Sequence, residues 1–141
     1  MAIKIAETDA EILACYPVIA QLRPHIEPQE LVDRVRDQAK QGYRIAYIAR
    51  AENVVTVAGY HVSNSLAWGK FLFVDDLVTA GLERSRGDGQ KMVDWLLEQA
   101  HEAKCDSFHL DCGVQRHAAH RFYLRNRMSI TSHHFSLNLT G

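Results

Sequence analysis

The stretch Arg84-Ser85-Arg86-Gly87-Asp88-Gly89-Gln90 follows an apolar, strand-like run at residues 71–79 and precedes an amphipathic helix predicted over residues 90–103. Two glycines two residues apart let a backbone come close to a ligand. A helix starting behind them presents amide donors and the positive end of its dipole. Together they predict an anion site, for which pyrophosphate is the usual occupant. Arg84 and Arg86 add positive charge. The Lys-Ser/Thr pair that a nucleotide-hydrolysing phosphate loop requires after its glycine turn is missing.

Working outward, Met92, Val93, Leu96 and Leu97 form the buried stripe of the helix behind the turn. Upstream, residues 3–7 read as a short strand. Thr8-Asp9-Ala10-Glu11 is a capping box for a helix running towards Leu22, with Ile12, Val18, Ile19 and Leu22 apolar. Pro17 predicts a kink or break inside that helix. Pro24 prevents simple continuation, and Pro28 suits the first turn of a second helix over residues 29–40, closed by Gly42. Strands are expected at residues 43–49 and 54–62, joined by a hairpin turn at Ala51-Glu52-Asn53, and then at 71–79. Downstream, a strand (107–111), a helix (115–127) and a final strand (129–139) complete the chain. Three successive strands favour antiparallel hairpins, and the strand-helix-strand crossover favours a parallel pair. The expected fold is a single α/β (α+β) domain over residues 1–141, with a mixed, mostly antiparallel central sheet and helices on both faces.

The 141 residues suit one core, and 47% hydrophobic with 23% charged residues describes a globular chain. A net charge of -1 gives no reason to expect nucleic acid or an anionic membrane as partner. The basic residues are nevertheless locally concentrated, at Arg84, Arg86, Arg116, Arg121, Arg125 and Arg127, which points to a small anionic ligand. Cys15, Cys105 and Cys112 are odd in number and lack metal-type spacing. With no apolar signal core and no run long enough to span a bilayer, a cytoplasmic, reducing setting is expected.

The order of elements and two motifs resemble the GNAT superfamily of acyl-CoA N-acyltransferases. The family's loop pattern, Gln/Arg-x-x-Gly-x-Gly/Ala, is met by Arg84, Gly87 and Gly89. Its Ala-x-x-Phe-Tyr segment is met by Ala119-His120-Arg121-Phe122-Tyr123. The chain departs from the family at Arg127-Met128, where Gly-Phe is frequent, so the helix exit is expected to lack a glycine cap and to be shaped differently. Asp88 stands where apolar or basic residues are common, and its carboxylate would repel pyrophosphate unless it turned to solvent or to a helix amide.

The resemblance implies an acetyl-CoA-dependent N-acetyltransferase acting on a primary amine of a small molecule or protein, by direct attack in a ternary complex. It implies that Arg84, Ser85, Arg86, Gly87, Asp88, Gly89 and Gln90 cradle the CoA pyrophosphate. It also implies that Leu77, Val78 and Thr79 hydrogen-bond the pantetheine arm where neighbouring strands splay, and that Arg116, Ala119 and Phe122 flank it. A non-catalytic acyl-CoA-binding or sensing module on the same fold is the alternative.

Transfer needs a stabiliser for the carbonyl oxygen, an acid for the departing thiolate and an outlet for the amine proton. The backbone amide near Val78 is the candidate stabiliser. Tyr123 is the candidate acid, because free thiols titrate at about 8.5 and phenols at about 10; a packing tyrosine is the plainer reading. Asp75 is the first candidate base, because by its spacing from Arg84 it resembles the acidic residue that handles the proton through water in polyamine-type relatives of that family; Asp76 and His61 are further options and a water chain is another. Strand alternation sends Asp75 and Asp76 to opposite faces. Acceptor specificity is expected from residues 23–28, residues 63–69 and the last strand. Arg23 and His25 suit an acidic group on the acceptor, although a solvated loop explains them as well. His133 or His134 is a further candidate for the acceptor pocket, and Trp68 for its rim. His117 and His120 share a helical face without a completing ligand, so no metal is expected. Cys112 has no paired base and reads as a packing thiol. Dimerisation through the last strand is plausible.

Overall fold

Thr8 opens the first helix as its sequence predicts. Its hydroxyl accepts from the Glu11 N–H (3.1 Å), and Glu11 Oε1 accepts from the Thr8 N–H (3.1 Å). The computed structural model describes residues 2–81 and 87–140, which fall into two compact units, Met1–His109 and Leu110–Gly141.

In the first unit, β1 (Lys4–Ile5) leads to α1 (Asp9–Leu22) and α2 (Pro28–Ala39). The helix α1 continues through Pro17 without a break, contrary to expectation. Ile12, Cys15, Val18 and Ile19 are all buried on one side of it, and that burial outweighs the single hydrogen bond a proline removes. Pro28 occupies the first turn of α2, and Gly42 follows the helix with φ +95°. Then come β2 (Arg44–Arg50), β3 (Asn53–Ser65) and β4 (Gly69–Thr79). Arg50 pairs with Asn53, and Ala51 and Glu52 between them both have positive φ, as a tight two-residue hairpin demands.

The sheet order is β1-β2-β3-β4-β5, with β5 at Ser107–Leu110. The first three pairings are antiparallel. The Asp106 N–H donates to the Lys70 carbonyl (2.6 Å) near the starts of β5 and β4, as a parallel pair requires. The mixed, mostly antiparallel sheet with helices on both faces is therefore as expected. One core packs α1 and α2 on Ile45, Val57 and Val78. On α3 (Asp88–Glu102), Met92, Val93, Leu96 and Ala100 are buried. Each fully buried leucine or isoleucine, such as Leu96 or Ile48, stabilises the fold by about 1.5–3 kcal/mol.

A β-bulge interrupts the β3–β4 ladder. Gly59 pairs with Asp76 and Tyr60 with Val74, so Asp75 is the extra residue on β4.

In the second unit, α4 (His117–Arg125) ends in a Schellman motif. The Met128 N–H donates to the Tyr123 carbonyl (3.2 Å) and the Arg127 N–H to that of Leu124 (3.0 Å). Arg127 adopts φ +66°. The expected change of shape at this exit is thus not found: arginine takes the left-handed conformation that glycine takes more cheaply. The strand expected over residues 129–139 is also not formed, since residues 129–140 carry no strand assignment. Phe135, Leu137 and Leu139 alternate as in a strand but are 92%, 84% and 87% exposed. An apolar pattern prepares a strand, and a neighbouring backbone is still needed to make one.

Candidate active site

The bulge decides which side chains meet. In place of opposite faces, Asp75 and Asp76 line one cavity of about 380 Å³, together with Ile19, Arg23, His25, Ile26, Leu31, Arg34, Val35, Gln38 and Tyr43. Strand alternation fails here because the inserted residue resets it.

The two carboxylates have different surroundings. Asp76 is held from both sides: the Tyr43 hydroxyl donates to Oδ2 (2.6 Å) and Arg23 Nε to Oδ1 (3.0 Å). Burial pushes the Tyr43 phenol well up, and Asp76 beside it reinforces the shift. Gly59 makes this contact possible. A Cβ at Gly59 would stand 1.9 Å from the Tyr43 hydroxyl, so only glycine admits the crossing side chain. Asp75 meets His61 instead, with Oδ2 2.6 Å from Nδ1. Burial raises the Asp75 carboxyl above its ordinary value, and the bond and charge of His61 oppose the rise. His61 in turn stacks on Phe73.

Leu77, Val78 and Thr79 follow Asp76 on the same strand, and Thr79 shares a hydroxyl–hydroxyl bond with Thr56 (3.0 Å). The strand β5 has four residues and starts level with Lys70, so it ends short of Leu77. No strand among the described residues lies on that side of Leu77 and Val78.

The glycine turn shows its second half. Arg84, Ser85 and Arg86 lie outside the described residues. Gly87 is the residue before α3, with φ +81°, and nothing among the described residues stands within 4 Å of where a Cβ would be. Gly89 and Gln90 occupy the first turn of α3, and Gln90 Nε2 donates to Asp94 (2.9 Å). The first amides of a helix are the kind of donors that bind anions. Asp88 turns neither to solvent nor to a helix amide. It is buried (1% exposed) and ion-paired with Arg50 from β2. Only its backbone remains for a ligand, and its charge is neutralised from within.

Within the second unit, Tyr123 is half-buried on α4, beside Phe122 (ring centroids 5.4 Å apart). Burial raises its phenol, Cys112 adds to the rise and Arg116 opposes it. The gap to a thiol is therefore wider than the ordinary values suggest, while the phenol is more firmly protonated. Arg116 precedes α4 and is exposed; Ala119 and Phe122 are half-buried. Burial also raises the Cys112 thiol, which disfavours the nucleophilic thiolate. His134 meets Asp111 (3.2 Å). Neither His133 nor His134 is among the cavity-lining residues, nor is any residue of 63–69. Trp68 stacks on His109 instead, with centroids 3.7 Å apart.

Sequence reasoning missed the α2 wall of the cavity. Arg34 and Gln38 are four apart on the helix that carries Leu31 and Val35, so the spacing was present without a sign that this face borders a cavity.

The Acetyltransferase (GNAT) family profile matches residues 8–127. The chain belongs to the GNAT acetyltransferase family. It is thereby an acyltransferase. A curated relative from Bacillus subtilis (strain 168), the uncharacterized N-acetyltransferase YhdJ, is 28% identical over 109 residues, 77% of each chain. Among solved structures, a transcriptional regulator from Bacillus halodurans C-125 matches with TM-score 0.87 and 19% identity, covering 98% of this chain and 99% of that one. The aminoglycoside N-acetyltransferase AAC(6')-Iy in complex with CoA matches with TM-score 0.81 and 9% identity, covering 99% and 96%. These two likenesses establish the shared fold. Among the described residues, no helix is long and apolar enough to cross a membrane.

Proposed function

We propose that the protein transfers the acetyl group of acetyl-CoA to a primary amine of a small molecule or protein, by direct attack in a ternary complex. The observation that carries this reading is Asp75, bulged from β4 into the cavity two residues before Leu77 and backed by His61. When bound, acetyl-CoA supplies an activated acyl carbon. The acceptor ammonium loses one proton to water. Its nitrogen then forms the N–C bond as the C–S bond breaks, and Asp75 takes the second nitrogen proton and passes it through His61 to water. Tyr123 gives its proton to the departing sulfur and regains one from solvent. The Val78 amide steadies the carbonyl oxygen.

For the co-substrate, the backbone of Gly87, Asp88, Gly89 and Gln90, with Arg84, Ser85 and Arg86, would hold the pyrophosphate. Leu77, Val78 and Thr79 would bind the pantetheine arm, flanked by Arg116, Ala119 and Phe122. The family match spans both compact units, which supports their working as one acetyltransferase domain. Three free cysteines support a cytoplasmic setting. The exposed alternation at Phe135, Leu137 and Leu139 supports a homodimer in which that segment pairs with a second copy; a monomeric mass by light scattering contradicts it.

Release of CoA thiol is the test, measured over polyamines, amino acids, aminoglycosides and peptide N-termini. At least one amine is acetylated, Asp75→Asn lowers its turnover by about 10²-fold or more, and Tyr123→Phe lowers turnover while acetyl-CoA affinity stays close to its starting value. Binding of acetyl-CoA without acetylation of any amine would assign the fold to a sensing module instead.

A further inference from the structure

The cavity carries charges of both signs, and the fold uses them unequally. Asp76 has both oxygens bound by Tyr43 and Arg23. Arg23 is committed with it, because its Nη2 also donates to the Asp75 carbonyl (3.1 Å). Asp75 from β4, whose Oδ2 bonds His61 and whose Oδ1 has no hydrogen-bond partner among the described residues, and Arg34 with His25 from the helical side are left to meet a ligand. Among the described residues Arg34 is tied only to Glu30, one turn away on α2, at 3.2 Å, with the two side chains 51% and 42% exposed. Exposed pairs of this kind hold weakly, so the guanidinium fork can turn to an incoming anion at little cost. His25 has no side-chain hydrogen bond among the described residues and adds a second donor to the same cavity.

We propose that the acceptor is a small amine that also bears an anionic group, a carboxylate or a phosphate monoester, with its ammonium received by Asp75 and its anion by Arg34 and His25. The inference rests on the acetyltransferase reading above. A cavity of about 380 Å³ suits a molecule of amino-acid or amino-sugar size. A ligand with two opposite charges matches the two charges the fold leaves available. A polyamine would instead set its additional cations against Arg34.

The test measures CoA-thiol release with acetyl-CoA and matched acceptors: α-amino acids against their carboxamides, glucosamine 6-phosphate against glucosamine, and spermidine as a polycation. One charged member should exceed its neutral partner about tenfold or more in kcat/KM, with spermidine poor. The pair that shows the preference identifies the anion. Arg34→Gln should remove the preference through a raised KM for the charged member, and Arg34→Lys should restore part of it. Protein that takes up acetyl-CoA but turns over neutral amines or spermidine equally well overturns the proposal, as does full preference in Arg34→Gln. Acetyl-CoA-loaded protein that neither acetylates the charged acceptors nor gives calorimetric heat with them overturns it too. Failure to take up acetyl-CoA instead removes the acetyltransferase reading itself.

Discussion

Asp75 Oδ2 and His61 Nδ1 stand 2.6 Å apart across the β3–β4 ladder, at the point where a bulge throws Asp75 out of register. Burial raises the carboxyl while His61 holds it down, with Asp76 adding to the rise and Arg23 opposing it. A base must be deprotonated to act, so kcat/KM should rise with pH through a limb lying higher than that of an ordinary aspartate. Removing the opposing partner by His61→Gln should move that limb to still higher pH. A pH–rate profile checks this, and an unmoved limb would separate His61 from the proton path. The same shift has a stability consequence. A carboxyl raised by folding favours the native state most below its unfolded pKa, and that favour is lost as pH rises through the folded value. Asp75→Asn should therefore raise Tm at neutral pH, with the gain shrinking in acid.

Gly59→Ala should be disruptive out of proportion to one methyl group. The new Cβ meets the Tyr43 hydroxyl at 1.9 Å and Asp76 Oδ2 at 2.6 Å. Displacing that bond should cost about 1–3 kcal/mol, read as a lowered urea midpoint. Tyr43→Phe in the same chain should recover part of the loss, because the clashing hydroxyl is gone.

Arg50, half-buried, pairs with the fully buried Asp88, and among the described residues Arg50 Nε and Asp88 Oδ2 have no partner. Arg50→Met leaves the carboxylate alone at the start of α3, and such a removal costs about 3–5 kcal/mol. Chemical unfolding should show it. Acetyl-CoA affinity should fall as well, since the carboxylate beside the glycine turn is no longer neutralised.

Arg127→Gly should stabilise the protein by up to about 1 kcal/mol, because glycine takes φ +66° without the penalty arginine carries. Thermal unfolding measures it, and an unchanged or lowered Tm would show that the arginine side chain makes a compensating contribution.

Local signals carried most of the fold. Thr8 and Glu11 announced α1, Pro28 the start of α2, Ala51-Glu52 the hairpin, and Met92, Val93 and Leu96 the buried side of α3. What stayed hidden depends on distant partners. Asp88 turns inward because Arg50, far away in sequence, receives it. Asp75 and Asp76 share a cavity through a bulge whose only trace in the chain is a glycine on the facing strand, Gly59. Pro17 is tolerated because tertiary packing holds both ends of α1, and residues 129–139 have a strand pattern without a paired backbone.

Calorimetric titration of the purified protein with acetyl-CoA is the most direct measurement. Saturable binding at one site per chain, weakened by Gly87→Pro, is the expected result. A folded protein that gives no heat with acetyl-CoA or CoA would contradict acyl transfer from this site.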